Sequence, residues 1–352
     1  MQIATAPFLS TKHLYQRKQA EIWEMSNKTV IAFATDHNFR YYTGVSLFSL
    51  MEHASPDTQY EILILTESLS PSDSAVFTGL VEGKKNFSLR FVDVSEKIRE
   101  IDIKKLHSGT YGIAVLYRLF MHELLPEYGR ILYLDSDIIV QSDVKELFDS
   151  DLKGTAIGAV KDCHATESPI TAWPFQDYFR KKLKLKNPRN YFNSGVLLLD
   201  ADLLRKSDFS KNLIQQLNCG IQFNFPDQDI LNRIFEDKVH YFEEVWNYML
   251  PANCNAERAK IVHYAGIHPW FSDLLPKADL WWETAEKTFF AEDIRKELAC
   301  SSARIKYLEE TEKKYFEICN STCWRATVFV RFAVNAAKWI KYLLKEMLTY
   351  GR

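Results

Sequence analysis

Two aspartates interrupt a segment that is otherwise continuously apolar. Asp135 and Asp137, with Ser136 between them, follow the strand-like run 131–134 and precede a second apolar run, 138–140. Two carboxylates at the carboxyl end of a buried strand are costly to place there without a counter-charge. A divalent cation bound to a phosphate supplies that charge, and hard oxygen ligands suit Mn²⁺ or Mg²⁺. A D-x-D is common in solvated turns, but the apolar residues on both sides favour a metal site.

The residues before this point alternate between strand and helix patterns. Three continuous apolar strands and two helical stretches lie at 30–34, 41–53, 61–65, 71–84 and 88–92. Unbroken apolar strands separated by helices predict an α/β fold with a mainly parallel sheet covered on both faces. Ligands of such sheets bind beyond the carboxyl ends of the strands. Asp36, which closes the first strand, is therefore expected at the same edge as Asp135.

Polar residues also occur where later patterns begin or break. These patterns are a strand at 191–199, helices at 201–217 and 230–235, and a strand at 261–263. Asn193, Ser194 and Gly195 place hydrogen-bonding groups and a glycine inside the first of these strands, which either lets a ligand approach the backbone or marks a bulge. Asp227 and Gln228 precede the second helix, where they either bind a ligand or cap the helix.

Three basic features have both a functional and a structural interpretation. His263 ends the last strand pattern and is a candidate third metal ligand, although an ordinary core or surface histidine is the commoner case. Arg118, on a predicted helix before the aspartate strand, could hold phosphate or orient an aspartate through its planar fork, and the alternative is a surface ion pair. The basic stretch 173–190 is interpreted as an excursion over the surface, either a solvated loop or an acceptor or lipid contact.

Composition excludes some classes of protein. The chain has 352 residues, enough for one large domain or one and a half, and 47% of them are apolar. A net charge of −2 argues against a nucleic-acid binder with a broad basic surface. The six cysteines form no C-x-x-C and have no histidine at zinc-ligand spacing, so reduced thiols in a cytosolic protein are expected. No signal peptide is predicted, because no long apolar run follows a basic start.

The stretch 325–348 consists almost entirely of apolar and basic residues. Arg331, Lys338 and Lys345 recur every seven residues, Lys341 lies between the last two, and at helical pitch they form one basic stripe. In a membrane-spanning helix each cation would cost roughly 2.5–3.5 kcal/mol near the bilayer centre. A helix in the headgroup plane of an anionic membrane avoids that cost, and the alternative is a helix that packs on the domain.

Six motifs resemble those of a known family and occur in the family's order. They are IAFATDHNF at 31–39, YRL at 117–119, LYLDSD at 132–137, FNSGV at 192–196, PDQDILN at 226–232 and HYAGIHPW at 263–270. Together they span about residues 29–270 and are similar to the retaining glycosyltransferases of family 8, which includes bacterial lipopolysaccharide galactosyl- and glucosyltransferases and glycogenin. The resemblance implies a GT-A fold, a UDP-glucose or UDP-galactose donor, and Mn²⁺ as the metal, with Mg²⁺ as an alternative.

The resemblance also implies roles for individual residues. Asp135, Asp137 and His263 would hold the metal against the diphosphate, while Asp36 would read the uracil edge and Asn38 the ribose. The remaining substrate-binding positions would be Ala34, Thr35, Arg118, Ser136, Asn193, Ser194, Gly195, Asp227, Gln228, Gly266 and His268, with Asp135 also in contact with substrate.

One motif departs from the family pattern. The family usually has G-x-x-K-P-W after this glycine, whereas here Gly266, Ile267, His268, Pro269 and Trp270 form a run one residue shorter, with histidine in place of lysine. A histidine is cationic only part of the time near neutral pH. Binding of the diphosphate is therefore expected to be weaker or pH-sensitive, unless an arginine compensates.

The implied catalytic residues are Gln228, Asp227 and Arg118. Gln228 would lie beneath the anomeric carbon and Arg118 near the donor sugar. Because an amide is a weak nucleophile, front-face attack is expected, in which the departing phosphate accepts the proton of the acceptor. This route retains the anomeric configuration without the two carboxylates of retaining hydrolases. Asp227 is the alternative nucleophile.

These expectations combine into one prediction with three alternatives. The prediction is a metal-dependent retaining hexosyltransferase that acts on a lipid-linked or cell-surface glycan, such as lipopolysaccharide or capsule, at the inner surface of a bacterial membrane. It would have an extension (1–28), a GT-A domain (29–270) and a helical C-terminal region (271–352). The alternatives are a glycogenin-like self-glucosylating initiator, a non-catalytic nucleotide-sugar-binding protein and a membrane-anchored scaffold.

Overall fold

The computed structural model of the protein describes residues 28–300 except for 100, 108–111, 167–176, 250–257, 267 and 272–274. The strands in these ranges are β1 (Thr29–Ala34), β2 (Tyr60–Thr66), β3 (Phe87–Asp93), β4 (Arg130–Leu134), β5 (Ile138–Val140), β6 (Ile157–Lys161), β7 (Phe192–Asp200), β8 (His240–Tyr241), β9 (Tyr248–Met249) and β10 (Ile261–His263). The predicted N-terminal extension, apart from its last residue, and the amphipathic stretch 325–348 lie outside the described residues.

Helices connect these strands. The α-helices of the described ranges are α1 (Arg40–His53), α2 (Pro71–Val81), α3 (Ser95–Ile98), α4 (Ile103–Leu106), α5 (Met121–Leu124), α6 (Lys145–Phe148), α7 (Cys163–Thr166), α8 (Ala201–Lys206), α9 (Phe209–Leu217), α10 (Pro226–Ile234), α11 (Ala278–Ala285) and α12 (Ala291–Cys300). Shorter 3₁₀ segments are Ile113–Phe120, Pro188–Asn190 and Glu244–Trp246, and Tyr178–Lys182 is a π-helical turn. Across this part of the chain, no helix is both long and apolar enough to cross a membrane.

A seven-stranded sheet forms the centre of the fold, in the order β3-β2-β1-β4-β7-β6-β8. β1 runs parallel to β2 and β4, β2 to β3 and β6 to β8, whereas β7 is antiparallel to both of its neighbours. The predicted α/β fold with a mainly parallel sheet is therefore confirmed. Every residue of β1 is buried. Val30 and Ala32 join one apolar cluster and Ile31 and Phe33 the other, because alternate side chains point to opposite faces and both faces are covered.

The register of the central strands brings two loops together. Phe33 of β1 pairs with Leu134 of β4, so both strands end at the same level. The hydroxyl of Ser136 donates to the carbonyl oxygen of Ala34 (3.0 Å), and Thr43 Oγ1 on α1 donates to Ser136 Oγ (2.8 Å). The loops after β1 and β4 are thus tied to one another and to the first long helix, at the sheet edge where ligands of such folds bind.

A small second sheet completes this edge, with β10 between β5 and β9. β10 is antiparallel to β5, and His263 lies opposite Ile138. The backbone N–H of Tyr264 donates to the carbonyl oxygen of Asp137 (2.9 Å). Because the strands are antiparallel, the end of β10 meets the start of β5, which brings His263 to the two aspartates.

Two predicted helices have different boundaries in the structure. The helix predicted at 201–217 is two helices, because the Ser207 hydroxyl bonds the Leu204 carbonyl oxygen and accepts from the Phe209 N–H, which offers the backbone an alternative to helix continuation. The helix predicted at 71–84 ends at Val81, and Gly83 has a φ of 74°, the left-handed conformation that commonly follows a helix.

The basic stretch differs from a simple surface excursion. In its described part, residues 177–190, the side chains of Phe179, Leu183 and Leu185 are buried. Phe179 also stacks on Tyr191, with ring centroids 4.2 Å apart. The stretch therefore contains an apolar anchor, formed by Phe179, Leu183 and Leu185, which its charge pattern did not predict.

Candidate active site

Two carboxylates and an imidazole converge at the edge of the central sheet. His263 Nε2 lies 3.2 Å from Asp137 Oδ1 and 3.9 Å from Asp135 Oδ2. One potential ligand atom from each residue lies within 4.8 Å of the other two. Hard carboxylate oxygens with one imidazole nitrogen are a donor set that suits Mn²⁺ and, with weaker preference, Mg²⁺. The side chains present therefore fit the predicted metal.

An asparagine orients the imidazole. His263 is 2% exposed, and its Nδ1 lies 2.8 Å from Asn247 Oδ1. Asn247 Nδ2 in turn donates to Asn193 Oδ1 (2.9 Å). Since the asparagine oxygen accepts the Nδ1 proton, Nε2 is the ring nitrogen directed at Asp135 and Asp137 and the one available to a metal. An outer hydrogen bond of this kind is the usual device that fixes the tautomer of a metal-binding histidine.

Gly195 is required by the closeness of these groups. A Cβ atom at this position would lie 2.4 Å from His263 Cε1 and 2.6 Å from Asp135 Oδ2. The N–H of Gly195 donates to Asn193 Oδ1 (2.8 Å), and its carbonyl oxygen accepts from the N–H of Asp135 (2.8 Å). The glycine predicted for close approach to a ligand thus also permits close approach of the candidate metal ligands themselves.

Arg118 is buried among residues of the site and does not form a surface ion pair. It is 7% exposed, and Nη2 lies 2.7 Å from Asp135 Oδ1 while Nε lies 3.3 Å from Asp227 Oδ2. Nη1 donates to the carbonyl oxygen of Ser194 (2.7 Å), and the guanidinium lies 4.3 Å from the ring centroid of Tyr133. Arg118 therefore links the end of β4, the start of β7 and the start of α10 by charge and hydrogen bonds.

Gln228 is held by hydrogen bonds on both sides of its amide. Its Oε1 accepts from Asn193 Nδ2 (3.1 Å) and from the N–H of Ser194 (3.0 Å), and its Nε2 donates to Asp162 Oδ2 (2.9 Å). Asp227 accepts from the Ser194 hydroxyl (2.7 Å). The first turn of α10 thus presents an amide and a carboxylate in fixed orientations, and neither acts merely as a helix cap.

The predicted nucleoside-binding residues lie on the loop between β1 and α1. Thr35 is buried, and its hydroxyl oxygen lies 2.9 Å from Thr43 Oγ1. Asp36 Oδ1 accepts from the N–H of Phe39 (3.0 Å), which stabilises the turn, while Asn38 is exposed. The loop therefore presents one partly exposed carboxylate and one exposed amide at the sheet edge that carries the candidate metal ligands.

The histidine that replaces the family lysine faces the candidate metal ligands. His268 Nδ1 lies 3.6 Å from Asp137 Oδ2. Its ring stacks on Trp270, with centroids 4.4 Å apart, and Trp270 stacks on Tyr42 of α1 at 3.9 Å. Gly266 has a φ of 87°, so the loop turns there through a conformation that favours glycine. The aromatic stack therefore fixes the loop after β10 against α1.

The ionisable groups of the cluster shift one another. Burial raises the pKa of Asp135, an effect that Arg118 opposes and the Asp137 carboxylate reinforces. Burial also acts to raise the pKa of Asp137, but His263 and His268 outweigh it and the pKa is lowered. Burial alone would lower the pKa of His263, but Asp137 and Asp135 raise it. The clustered carboxylates thus favour positive charge at this site.

Two residues of the site, Asp162 and Asn247, were not predicted from the sequence. Asp162 follows β6 directly, so the rule that drew attention to Asp36 and Asp135 could have found it. Asn247 lies between a 3₁₀ turn and the two-residue strand β9, where no periodic pattern marks it. Its role follows only from the tertiary contact with His263.

A separate groove lies away from this cluster. It has a volume of about 610 Å³, and its lining includes Glu146, Tyr241, Trp246 and Lys260. None of the predicted site residues lines it. The chemistry of the converging carboxylates, and not the size of a cavity, therefore identifies the candidate active site.

Comparison with known proteins assigns the family. The sequence profile described as "Glycosyl transferase family 8" matches residues 30–273. The chain belongs to this family. The lipopolysaccharide 1,3-galactosyltransferase of Salmonella typhimurium is 25% identical over 268 residues, which cover 70% of this chain and 74% of that protein.

Two solved structures show the same fold as this family 8 chain. The galactosyltransferase LgtC, solved with donor and acceptor sugar analogues, is 26% identical, with a TM-score of 0.59 over 74% of this chain and 96% of that one. The bifunctional glycosyltransferase WbbM is 24% identical, with a TM-score of 0.65 over 77% of this chain and 51% of that one, so the present chain spans about half its length. The predicted family and GT-A fold are confirmed, and the chain is a glycosyltransferase family member.

Proposed function

We propose that this family 8 protein is a retaining hexosyltransferase that uses UDP-glucose or UDP-galactose and a divalent metal, Mn²⁺ or alternatively Mg²⁺. The observation that carries the proposal is the convergence of Asp135, Asp137 and His263 within 4.8 Å, beside the locked amide of Gln228. A binding protein without catalysis would not need both a metal-ligand set and an oriented amide. The galactosyltransferase names of its relatives support the donor class.

The two aspartates and the histidine would hold the metal, with Asn247 keeping His263 Nε2 directed toward it. A divalent ion in this position supplies positive charge to the diphosphate leaving group. The contact between His268 and Asp137 supports a role for His268 at the diphosphate beside Gly266, although the residue is not the family lysine.

The donor would lie along the edge of the sheet. Asp36 would read the uracil and Asn38 the ribose, with Ala34, Thr35 and Ser136 forming the floor beneath the nucleoside. Asn193 with its neighbours Ser194 and Gly195, together with Asp227 and Arg118, would contact the sugar. Their fixed orientations are consistent with recognition of hydroxyl groups by hydrogen bonds.

The hydrogen bonds of Gln228 favour front-face attack. Its carbonyl oxygen, the only atom of the amide able to act as a nucleophile, already accepts from Asn193 and from the N–H of Ser194. The alternative nucleophile, Asp227, accepts from Ser194 Oγ and lies beside the Arg118 guanidinium, so its negative charge is already partly balanced. The acceptor hydroxyl would instead attack from the side of the leaving group and lose its proton to the departing phosphate oxygen.

The acceptor is proposed to be a lipid-linked or cell-surface glycan, reached at the cytoplasmic face of a membrane. The basic, apolar stretch 325–348 and the lipopolysaccharide galactosyltransferase among the relatives support this part. A self-glucosylating initiator would differ in adding mass to the protein itself on incubation with UDP-glucose, which intact-mass measurement would detect.

Release of UDP from a panel of UDP-sugars, with Mn²⁺ or EDTA and no added acceptor, tests the proposal. Slow hydrolysis of one donor is expected, lost in EDTA and in Asp137→Ala but kept in Asp151→Ala, which removes an exposed carboxylate that is not among the candidate ligands. No turnover of any donor, together with no thermal shift from UDP plus Mn²⁺, would show that the metal-site interpretation is wrong.

A further inference from the structure

Arg40 lies at the centre of a charge cluster under the nucleoside-binding loop. It is the first residue of α1, directly after the loop, and its side chain is only 7% exposed. Its Nε lies 2.9 Å from Asp73 Oδ1, its Nη2 pairs with the carboxylate of Glu297, and its Nη1 donates to the carbonyl oxygen of His37. The guanidinium also lies 4.1 Å from the ring centroid of Tyr41. A single buried side chain thus joins the loop to two other elements.

The same cluster holds the loop at a second point. His37 Nδ1 lies 3.0 Å from Asp73 Oδ2, so both the backbone and the ring of His37 are fixed. Asp73 is itself held by the capping box of α2, in which its side chain accepts from the N–H of Ser70. His37 stands between Asp36 and Asn38, the two residues proposed to bind uracil and ribose. The cluster therefore fixes the backbone from which both of them project.

Glu297 brings the C-terminal region into this cluster. It lies on α12, whose Ile294 and Leu298 are buried in the same apolar cluster as α1 residues. Phe290, just before α12, stacks on Tyr41 with centroids 5.4 Å apart. The helix that carries Glu297 is thus joined to the helix that carries Arg40 by an ion pair and by the ring just before it, although it lies beyond residue 273, where the family match ends.

The charge arrangement at the start of α1 explains why Arg40 pairs with carboxylates from other helices. A cation in the first turn of a helix is unfavourable next to the positive end of the helix dipole, and a buried guanidinium needs paired carboxylates. α1 has no acidic residue in its first turn and no side-chain cap. Asp73 and Glu297, from α2 and α12, supply the negative charge that the helix itself lacks.

We propose that Arg40 and Glu297 are positioning residues for the nucleoside, and that α12 of the C-terminal region sets the affinity of the site for the UDP part of the donor. The proposal rests on the proposed function. Neither residue touches the sugar or the reacting atoms. The cluster acts by holding the loop 36–38 in the conformation that binds the nucleoside, so its loss should weaken binding of substrate more than it slows the chemical step.

The test compares two ion pairs that join the same two parts of the chain. Glu297→Gln removes the charge from the cluster while keeping a side chain of the same size. Glu52→Gln removes the matched control pair, in which Lys287 Nζ lies 3.0 Å from Glu52 at the other end of α1. The Kd for UDP with Mn²⁺ is measured by calorimetry, and KM and kcat for the active UDP-sugar by UDP release, in the full-length protein.

Glu297→Gln is expected to raise both the Kd for UDP and the KM for the donor by roughly threefold to tenfold, in line with loss of one partly exposed charged contact and of loop order. Its kcat should stay within about twofold of the wild-type value, and Glu52→Gln should change none of the three. Arg40→Met should give a larger rise in the Kd for UDP, and Glu297→Asp, which keeps the charge, should recover part of the affinity.

Several results would overturn the proposal. An unchanged Kd for UDP in Glu297→Gln, an equal rise in Glu52→Gln, or a fall in kcat and melting temperature without a change in KM would each show that the cluster is only structural. Absence of UDP binding by the wild-type protein would reject the proposed function together with this inference, whereas tight wild-type binding unaffected by Glu297→Gln rejects the inference alone.

Discussion

At the scale of single residues, the geometry of the candidate metal site depends on two residues that are not ligands. Gly195 leaves room for His263 and Asp135 to approach one another, and Asn247 orients His263 from behind. Neither residue could coordinate a metal in this arrangement. Both are nevertheless expected to control its affinity, because they determine where the ligand atoms lie.

Substituting Gly195 by alanine should disrupt the metal cluster. The new Cβ would lie 2.4 Å from His263 Cε1, on a ring whose Nδ1 is already fixed, so the ring has little freedom to move. We expect Mn²⁺ affinity to fall by about tenfold or more, as loss of ligand geometry usually causes, with a native far-UV circular dichroism spectrum. Calorimetric titration with Mn²⁺ and UDP measures this.

Gly129→Ala is the matched control for this prediction. Its Cβ would meet the Oδ2 of Asp202 at 2.9 Å, the far end of a side chain on the protein surface that can turn away. An equal loss of Mn²⁺ affinity in both variants would mean that alanine acts through general destabilisation.

Asn247→Ala should weaken metal binding through the imidazole. Without the Oδ1 acceptor, His263 loses the partner that fixes its tautomer, and second-shell losses of this kind typically cost 10–100-fold in metal affinity. Asn247→Asp keeps an acceptor for His263 Nδ1 but loses the donor to Asn193. Mn²⁺ titration should therefore rank the affinities wild type, Asn247→Asp, Asn247→Ala, and identical affinities for the two variants would contradict the orienting role.

At the scale of elements, α10 both carries Asp227 and Gln228, the proposed catalytic residues, and anchors the basic stretch. Asp229, fully buried in its first turn, accepts from the hydroxyls of Tyr178 and Tyr191 (2.6 Å each) and from the N–H of Phe225 (2.9 Å). This carboxylate joins the π-helical turn, the start of β7 and the start of α10. It lies two residues after Asp227, on a helix whose other first-turn residues face the site.

Asp229 should make stability depend on pH. Burial raises its pKa to about 6, against the three hydrogen bonds that act to lower it. The folded protein then holds the proton more tightly than the unfolded chain, so this stabilisation is present below about pH 4 and is lost as the pH rises through about 6. The loss corresponds to about 3 kcal/mol in the free energy of unfolding.

Asp229→Asn tests this, because asparagine does not titrate. Relative to the wild type, its free energy of unfolding in urea should rise by about 3 kcal/mol between pH 4 and pH 7. In Asp93→Asn the trend should have the opposite sign and should lie below about pH 4, because hydrogen bonds from Ser95 lower the pKa of that exposed carboxylate. A pH-independent difference for Asp229→Asn would show that the carboxylate is ionised throughout the range.

At the scale of the whole molecule, the region beyond the family match is joined to the catalytic domain. α11 and α12 pack on α1, with Trp281 and Phe290 buried in the same apolar cluster as Tyr42 and Val45. The described end of the chain at residue 300 therefore lies against the helix that carries the nucleoside loop.

Replacing the basic stripe by glutamine should release the protein from anionic vesicles. Each lysine or arginine near such a surface contributes about 1 kcal/mol. The fourfold variant of Arg331, Lys338, Lys341 and Lys345 should therefore lose at least about a hundredfold in affinity in a co-sedimentation assay. UDP release in solution should be unchanged, since these residues lie outside the catalytic motifs.

The control for the vesicle assay changes the same net charge elsewhere. Lys84, Lys85, Lys104 and Lys105 are exposed on the catalytic domain, and replacing all four by glutamine should leave vesicle binding near the wild-type level. Equal losses in the two fourfold variants would indicate attraction by overall charge and not by the predicted helix.

The sequence by itself determined most of the strands, the α/β class and most of the candidate site, whereas β6, β8 and β9 carried no pattern that predicted them. Apolar runs such as 30–34 and 131–134 can only be buried on two faces of a sheet, and polar residues directly after such runs must lie at its edge. That logic reached Asp36, Asp135, Asp137 and, through the family motifs, His263 and Gln228. These patterns are local, so they can be recognised in one segment of the sequence without knowing which distant residues contact it.

Tertiary structure alone decided the rest, because the deciding contacts join residues far apart in the chain. The antiparallel pairing of β5 and β10 brings His263 to Asp137, and only that pairing gives Asn247 its role. The burial of Arg118, the apolar anchor of the basic stretch and the Arg40–Glu297 pair likewise depend on packing. Charge and periodicity describe one segment at a time. The burial of a side chain and the identity of its partners depend on which other segments pack against it.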